Sequence, residues 1–269
     1  MYPQKQTVIN EDASNSNWND LTDVIDEALK QHCFSMVYQP LISVQTGRIV
    51  GFESLVRCDS PTFGVISPCD FIPCAEQSGQ ILELGSWIFQ QALLDLKRMR
   101  NQGMQNICLS LNVSPVQLLH TNVYEQLMSL IVELQIPPSA VKLELTETAL
   151  IHDPQTICKV FNAFKQEDVQ VWLDDFGTGF ASLSLLRKFN IDGLKIDRSF
   201  VSGIADNNED FTLCSAVIAM AQRLGLHIVA EGVETESQLQ ILSQLGCDVV
   251  QGYLLGKPQT LEKTLSLWS

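Results

Sequence analysis

Positive charge is scarce in this sequence of 269 residues. It contains 17 Lys and Arg against 31 Asp and Glu, which gives a formal net charge of −14 and a pI of about 4.6. Proteins that bind duplex nucleic acid normally present a basic surface, so we expect no such partner here. A small phosphorylated ligand remains compatible, because divalent cations between carboxylates and a phosphate reverse the local charge.

Long apolar runs are also missing. Charge or Gly interrupts each apolar stretch before the ~18 residues that a membrane-spanning helix needs, so no such span is predicted. The first residues lack the basic-then-apolar pattern of a secretory signal, and we therefore predict a cytoplasmic protein. The eight cysteines form no C-x-x-C pair, which favours reduced thiols over a zinc cluster or a disulfide framework. Cys58, Cys69 and Cys74 lie near the expected pocket and are candidates for reactive thiols.

The main positive feature is a series of short apolar runs, rich in Val, Leu and Ile, that end in polar or charged residues. Such runs are typical of strands buried on both faces. One buried carboxylate would carry little information, but a repeated pattern indicates that the strand ends meet in one charged pocket. This geometry is that of a barrel of parallel strands. The residues at the run ends are Glu53, Asn112, Glu144 and Glu147, Asp174 and Asp175, Lys195 and Asp197, Glu231 and Glu234, and Gln251.

The organisation of the chain agrees with a single barrel. Residues 1–19 are polar and are predicted to be disordered, and residues 20–269 form one domain without a linker. The segment VYQPLISVQTGRIVGFESLVR predicts two strands around a Thr46–Gly47 turn, a hairpin that interrupts a regular barrel at its first strand. Helices alternate with the later strands, for example after Asp153–Pro154 and after the capping box that begins at Thr235.

Four of the strand-end residues offer oxygen ligands only: Glu53, Asn112, Glu144 and Asp174. No His or Cys accompanies them. Hard cations such as Mg²⁺ or Mn²⁺ prefer this kind of set, whereas zinc prefers nitrogen and sulfur. The sequence therefore predicts a magnesium or manganese site.

A second cation is expected beside the first, held by Asp175 and Glu231 with Asp174 as a bridge. Two cations roughly 3.5–4 Å apart form the usual clamp for hydrolysis of a phosphoester. Lys195 is placed to orient the attacking water, although neutralising Asp174 or Glu231 is an alternative role for it.

The segment DDFGTGFASL follows the two aspartates directly. Gly177 and Gly179 predict a tight loop, and Thr178 or Ser182 can cap the next helix. One interpretation is an ordinary turn between a strand and a helix. The other is a gate coupled to metal occupancy, with Glu147 as its anchor.

Several motifs in a fixed order resemble the EAL-domain family, the phosphodiesterases that open the cyclic dinucleotide c-di-GMP. They are YQPLISVQTGRIVGFESLVR, SPCDFIPCAE, LSLNVSPVQL, LELTET, DDFGTGFASL, LKIDRSFV, VAEGVET and QGYLLGKP. The resemblance covers roughly residues 20 to 262, almost the whole chain. The resemblance implies an α/β fold, a modified (β/α)₈ TIM-like barrel with one antiparallel strand near the N-terminus. It also implies two Mg²⁺ or Mn²⁺ ions per site, c-di-GMP as substrate and linear pGpG as product.

The resemblance further implies roles for individual residues. Lys195 would contact the nucleophilic water, Glu231 would act as general base, and Glu147 would steady the DDFGTG loop, which in the family also links the site to a homodimer interface. One metal would be held by Glu53, Asn112, Glu144 and Asp174, and the second by Asp174, Asp175 and Glu231. The substrate-binding candidates are Gln39, Arg57 and Gln251 near the phosphates, Asp70 and Phe71 in the segment near a guanine, and Glu234.

Two positions depart from the family pattern. Ser54 stands where Ala is usual, away from the metal, so we expect little effect. Cys58 stands where Trp is typical, which affects the shape of the substrate edge. The metal-ligand positions themselves are all present.

Two other functions are compatible with parts of the sequence. The chain could be a catalytically silent c-di-GMP receptor, which binding without turnover would reveal. LELTE and LKID also fit the acid ligands and Lys base of an enolase-type enzyme. Such enzymes usually need a capping domain, and only about 20 residues precede the barrel here.

Overall fold

The computed structural model describes residues 16–120, 122–151, 153–177, 186 and 188–268. Nine strands in these ranges belong to one sheet. Their bounds are Phe34–Ser43 (β1), Ile49–Ser60 (β2), Gly64–Ile66 (β3), Cys108–Asn112 (β4), Val141–Thr146 (β5), Gln170–Phe176 (β6), Gly193–Ile196 (β7), His227–Ala230 (β8) and Val249–Val250 (β9).

The sheet closes into a barrel of eight strands, and β3 pairs with the last three residues of β2. The hydrogen-bonded order is β1-β9-β8-β7-β6-β5-β4-β2-β3, and a pairing of β1 with β2 completes the circle. β1 runs antiparallel to both β2 and β9, whereas β2, β4 and the later strands of the barrel are parallel. The predicted modified barrel with one antiparallel strand is therefore confirmed, and Gly47, at φ +64°, forms the hairpin turn.

Helices cover the outside of the barrel. Those described are Ser16–Lys30 (α1), Pro68–Ser78 (α2), Ile81–Asn101 (α3), Pro115–Leu119 (α4), Val123–Glu133 (α5), Pro154–Gln166 (α6), Arg198–Ser202 (α7), Asn208–Leu224 (α8), Glu236–Gln244 (α9) and Leu261–Trp268 (α10). Short 3₁₀ turns span Pro138–Ala140 and Glu147–Ile151. In the described part of the chain, no helix has the length and apolar content needed to cross a bilayer.

The helix ends follow local sequence signals. The side chain of Asp153 accepts a hydrogen bond from the Thr156 N–H at the start of α6, as predicted. The predicted capping box at Thr235 opens α9. α1 begins at Ser16, earlier than its apolar pattern suggested, and the rest of the polar N-terminal segment lies outside the described residues.

Two apolar cores result from this arrangement. The larger lies between the barrel and its helices, and it includes Phe34, Phe71 and Leu93. The smaller lies inside the barrel, where Leu41, Trp172 and Val229 pack together. Side chains therefore fill the middle of the barrel interior, and they separate the surfaces at its two ends.

Candidate metal centre

Carboxylates from several strands converge at the C-terminal end of the barrel. Glu53, Glu144 and Asp174 are buried, and each places a carboxylate oxygen within 4.8 Å of the others. Asp174, Asp175 and Glu231 form a second group with the same spacing. Asp174 belongs to both groups, so the two sets of oxygen ligands share one residue, as a bridged pair of cations requires.

Lys195 lies at the centre of the acids. Its side chain is 1% exposed, and Nζ lies 2.5 Å from Glu231 Oε1, 2.8 Å from Glu144 Oε2, 3.1 Å from Asp174 Oδ1 and 3.4 Å from Glu53 Oε2. These contacts tie β2, β5, β6 and β7 to the residue that follows β8. A buried ammonium of this kind offsets part of the repulsion among the acids.

Amide side chains orient Glu53. Asn112 Nδ2 donates to Glu53 Oε1 at 2.9 Å, and Gln251 Nε2 donates to Glu53 Oε2 at 2.7 Å and to Gln39 Oε1 at 2.9 Å. Gln39 in turn donates to the Gly256 carbonyl at 3.1 Å. This chain holds Glu53 in one orientation and brings two predicted phosphate contacts, Gln39 and Gln251, next to the acids.

A β-bulge in β6 sets the orientation of the side chains of Asp174 and Asp175. The register with β7 breaks between Leu173 and Phe176, and Asp175 has φ +53°, a conformation uncommon outside glycine. The Asp175 N–H donates to Asp174 Oδ1 at 2.9 Å. In a regular strand, neighbouring side chains point to opposite faces. The bulge allows both carboxylates to reach the same cluster, and such strain is typical of functional sites.

The pKa values of the acids are shifted mainly by burial, and secondly by the charges around them. Burial raises the pKa of Glu144 to about 7 and that of Glu231 to about 8, against the pull of Lys195. Burial and the neighbouring Asp174 raise the pKa of Asp175 to about 6. Burial would also raise the pKa of Glu53, but the Lys195 ammonium and the hydrogen bonds from amide side chains hold it below the usual value. Burial and the neighbouring carboxylates therefore oppose full ionisation of the acids in the site without metal.

The residues fit a pair of divalent cations. Five carboxylates around one ammonium leave four negative charges when all are ionised, and two divalent cations carry four positive charges. The ligand atoms are carboxylate oxygens, to which the Asn112 amide can add another. Oxygen donors without nitrogen or sulfur match Mg²⁺ and Mn²⁺.

A cavity of about 500 Å³ opens beside the cluster. Its walls include the ligand candidates Asn112, Glu144, Asp174 and Asp175 and the predicted phosphate contact Arg57. The strand ends therefore meet a space for a ligand of the size of a small nucleotide.

The polar residues of this cavity that were missed in the sequence include Glu76, Ser114, Gln117 and Thr146. Glu76 and Ser114 line the wall, and Ser114 Oγ donates to Glu76 Oε1 at 2.5 Å. Both belong to quoted motifs, SPCDFIPCAE and LSLNVSPVQL. Because 38 residues separate Glu76 from Ser114, the sequence did not indicate that their side chains are in contact.

Phe71 was wrong as a substrate contact. It is 1% exposed, and its ring packs edge-on against Phe34 with centroids 5.5 Å apart, so no base can stack on it. Asp70 is exposed in the first turn of α2 and is not among the residues that line the cavity. Glu234 forms a surface ion pair with Arg198 at 3.0 Å. These three positions are therefore weaker candidates than Arg57.

The predicted effect of Cys58 on the substrate edge is not supported by its position. Cys58 is 2% exposed in the core, and burial raises its pKa to about 11. Of the three cysteines expected near the pocket, Cys69 alone is exposed and lines the cavity. A low thiolate fraction makes Cys58 unreactive.

Glu147 lies under the segment that follows the aspartates. It is 2% exposed, and its Oε2 accepts a hydrogen bond from the Gly177 N–H at 3.1 Å. This contact agrees with a role as anchor of the loop. The predicted gate is the segment DDFGTGFASL, residues 174–183, and positions 178–183 of it lie outside the described ranges, so that interpretation stays a prediction.

The fold and the cluster define an α/β barrel with an acidic, oxygen-donor centre at the carboxyl ends of its strands. Comparison with known proteins assigns the family: the sequence matches the EAL domain over residues 22–258, and the chain belongs to the EAL domain family.

Named relatives share the same domain. The chain is 33% identical over 240 residues to the "Bifunctional diguanylate cyclase/cyclic di-GMP phosphodiesterase MucR" of Pseudomonas aeruginosa, covering 89% of this chain and 35% of the relative. It is 37% identical over 232 residues to the "Cyclic di-GMP phosphodiesterase PdeR" of Escherichia coli, covering 86% of this chain and 35% of the relative. The chain thus spans about a third of the length of these curated relatives.

A solved structure has the same fold over nearly its full length. The structure titled "PaMucR Phosphodiesterase, c-di-GMP complex" superposes with a TM-score of 0.87 at 33% identity, covering 91% of this chain and 99% of that one.

Proposed function

We propose that this chain is a metal-dependent phosphodiesterase that hydrolyses one phosphodiester of c-di-GMP and releases linear pGpG. The observation that carries the proposal is the pair of carboxylate groups that share Asp174, gathered around Lys195 beside a cavity. The names of the relatives, two c-di-GMP phosphodiesterases among them, support the substrate class. Hydrolysis would lower the concentration of a second messenger.

The proposed metal ligands are the donors that the site gathers: Glu53, Asn112, Glu144 and Asp174 for one ion, and Asp174, Asp175 and Glu231 for the other. Bound there, two Mg²⁺ or Mn²⁺ ions would supply an activated water and offset the charge that develops on the phosphate. The chain's own residues then position the reactants around these ions.

Lys195 and Glu231 are proposed to handle the attacking water. The ammonium lies 2.5 Å from Glu231 Oε1 and touches acids of both groups, so it can orient a water that lies between them. Glu231 is partly exposed, unlike Glu53 and Glu144, and can therefore meet a water and take its proton as general base. In this role Glu231 must be ionised, which the nearby positive charge favours.

Substrate contacts are proposed around the same rim. Gln39 and Gln251 lie beside Glu53, and Arg57 lines the cavity, where its guanidinium can pair with a phosphate. Gln251 Oε1 is buried and has no hydrogen-bond partner among the described residues, so it can accept a hydrogen bond from a ligand.

The test is incubation of the chain with c-di-GMP and Mg²⁺ or Mn²⁺, followed by chromatography of the nucleotides. We expect pGpG to accumulate and EDTA to stop the reaction. Calorimetric binding of c-di-GMP with no product in either metal would instead support a silent receptor and contradict the proposed catalysis.

We also propose a homodimer formed through the region around the DDFGTG loop. The support is membership of the EAL domain family, in which this loop is expected to link the site to a homodimer interface. Multi-angle light scattering at assay concentrations should give twice the chain mass, and a strict monomer there would contradict the dimer.

A further inference from the structure

The barrel has a second cavity, of about 730 Å³, at the end opposite the carboxylate cluster. Its walls include the first residues of three parallel strands, Cys108 of β4, Gln170 of β6 and His227 of β8. The metal centre lies at the other ends of the same strands. The two cavities share no lining residue, so this one is a separate space.

Lys142 is a buried cation in the wall of this second cavity. It is 8% exposed, and its Nζ lies 4.2 Å from the centre of the Trp172 ring. Within the described ranges, its ammonium has neither a carboxylate within salt-bridge distance nor a hydrogen-bond acceptor. The Trp172 ring is a weaker partner for an ammonium than a carboxylate is, so an anion that reaches Lys142 gains a favourable contact.

The acids nearest to this end of the barrel are engaged elsewhere. Asp192 accepts hydrogen bonds from Lys165 Nζ at 2.7 Å and from the Val171 N–H at 2.8 Å. Asp248, in the cavity wall, accepts from the Ile228 N–H at 2.9 Å. Neither lies within salt-bridge distance of the Lys142 ammonium.

Trp172 forms a fixed wall beneath the ammonium. The indole is 3% exposed, and its Nε1 donates a hydrogen bond to Gln170 Oε1 at 3.1 Å. The His227 ring stacks on the indole, with the ring centroids 6.3 Å apart and an angle of 17° between the ring planes. Gly193 makes room for it, because a Cβ there would lie 2.6 Å from the indole Cζ3. The indole is therefore fixed in place by its neighbours, and it holds the Lys142 ammonium at the wall of the cavity.

We propose that this cavity is a binding site for a small organic anion, whose carboxylate or phosphate pairs with Lys142. Amide side chains of Gln45, Asn106 and Gln170 line the same space and can hydrogen-bond polar groups of the ligand. The site does not depend on the proposed hydrolysis at the other end.

The test is a titration of the ¹⁵N-labelled chain in EDTA with benzoate, phenyl phosphate and benzamide, followed through the indole N–H signals. The chain has four Trp, and Trp172→Phe identifies the relevant signal. We expect benzoate or phenyl phosphate to shift the Trp172 signal at millimolar concentration. Neutral benzamide should bind on the order of tenfold more weakly, because it lacks the charge. Whichever of benzoate and phenyl phosphate binds more tightly shows whether the site prefers a carboxylate or a phosphate.

Two variants complete the experiment. Lys142→Met keeps the length of the side chain and should remove the anion-dependent shift, whereas Lys159→Met, an exposed position on α6, should retain it. Equal shifts with benzoate and benzamide would overturn the proposal, as would an unchanged anion shift in a folded Lys142→Met protein. The comparison of benzoate with benzamide uses the unmodified chain and stands even if that variant fails to fold.

Discussion

The Lys195 ammonium lies 2.5 Å from Oε1 of Glu231, a contact that joins β7 to the residue directly after β8. The same ammonium touches Glu144 and Asp174, so one buried cation holds together acids from both proposed metal groups. Burial would lower the pKa of Lys195, but these carboxylates raise it well above the usual value. Lys195 therefore stays charged throughout the physiological range.

Replacement of Lys195 tests this arrangement. Lys195→Met should destabilise the metal-free protein by about 3–5 kcal/mol, because the buried acids lose their counter-ion. Mn²⁺ should restore part of that stability, while turnover should remain reduced by about 10²-fold or more through loss of the oriented water. Urea unfolding with and without Mn²⁺, together with kcat, measures both effects.

A matched control for this variant is Lys165→Met. Lys165 pairs with Asp192 at 2.7 Å, away from the metal centre, and its replacement should leave turnover unchanged. A Lys195→Met protein that hydrolyses c-di-GMP at the parental rate would contradict the role of Lys195.

Glu53→Ala should abolish turnover, a loss of about 10²–10³-fold or more, by removing a metal ligand. The barrel should still fold, because Lys195 keeps its ion pairs with Glu144, Asp174 and Glu231. Circular dichroism checks the fold and a Mn²⁺ titration checks the metal affinity. Glu83→Ala, on the exposed side of α3, is the control. Parental turnover of Glu53→Ala at any Mn²⁺ concentration would exclude Glu53 as a ligand.

The raised pKa values predict a pH dependence of metal binding. Glu144 and Glu231 have ordinary pKa values of 4.5, but without metal their folded pKa values are about 7 and about 8. Their contribution to stability is therefore fully present below pH 4.5 and is lost as the pH rises through 7 to 8. Protons compete with cations in the same range, so Mg²⁺ affinity should increase about tenfold or more between pH 6 and pH 8.

Thermal unfolding measures this dependence directly. The Tm of the metal-free protein should fall between pH 5 and pH 8.5, while the increase in Tm caused by Mg²⁺ should grow over the same interval. A Mg²⁺-induced increase of the same size at pH 6 and pH 8 would show that these carboxylates are not ligands.

Glu147→Gln tests the anchor of the loop. The variant replaces a charge-assisted hydrogen bond to the Gly177 N–H by a weaker neutral one. We expect faster hydrogen exchange at the Gly177 amide and a kcat about tenfold lower, with Mn²⁺ affinity nearly unchanged. Glu167→Gln, exposed at the end of α6, is the control. If exchange at Gly177 and kcat both match the parent, the contact has no role in the reaction.

Much of the site could be predicted because parallel strands end on the same side of a barrel. Once Glu53, Asn112, Glu144 and Lys195 were assigned to strand ends, their convergence followed from the fold. The bulge at Asp174–Asp175 could not be predicted in the same way. Alternation along a strand sends neighbouring side chains to opposite faces, and only the observed φ of +53° at Asp175 explains how both join one cluster.

The error at Phe71 has a different origin. Membership of the SPCDFIP segment does not say which face of α2 a residue occupies. The helical period does indicate the face. The core face of α2 carries residues spaced by three and four, namely Phe71, Cys74 and Ala75. The face that lines the cavity carries Cys69, Ile72, Pro73 and Glu76. Attention to this spacing would have selected Glu76 and excluded Phe71.

The packing of Lys142 and Trp172 inside the barrel could not be predicted from the sequence either. Lys142 and Trp172 each precede a metal-ligand candidate by two residues, so alternation places them on the same face as Glu144 and Asp174. Alternation cannot say whether such a layer is filled or leaves a cavity. That depends on side-chain volumes from several strands at once, including the absence of a side chain at Gly193.

The number of Mn²⁺ ions bound per chain in the presence of c-di-GMP tests the central claim most directly, and electron paramagnetic resonance can count them. Two ions per chain are predicted, with a magnetic coupling that reports a separation of roughly 3.5–4 Å. Asp174→Ala, which removes the shared ligand, should abolish that coupling. A single ion, or two ions without coupling, in a chain that hydrolyses c-di-GMP would contradict the bridged pair.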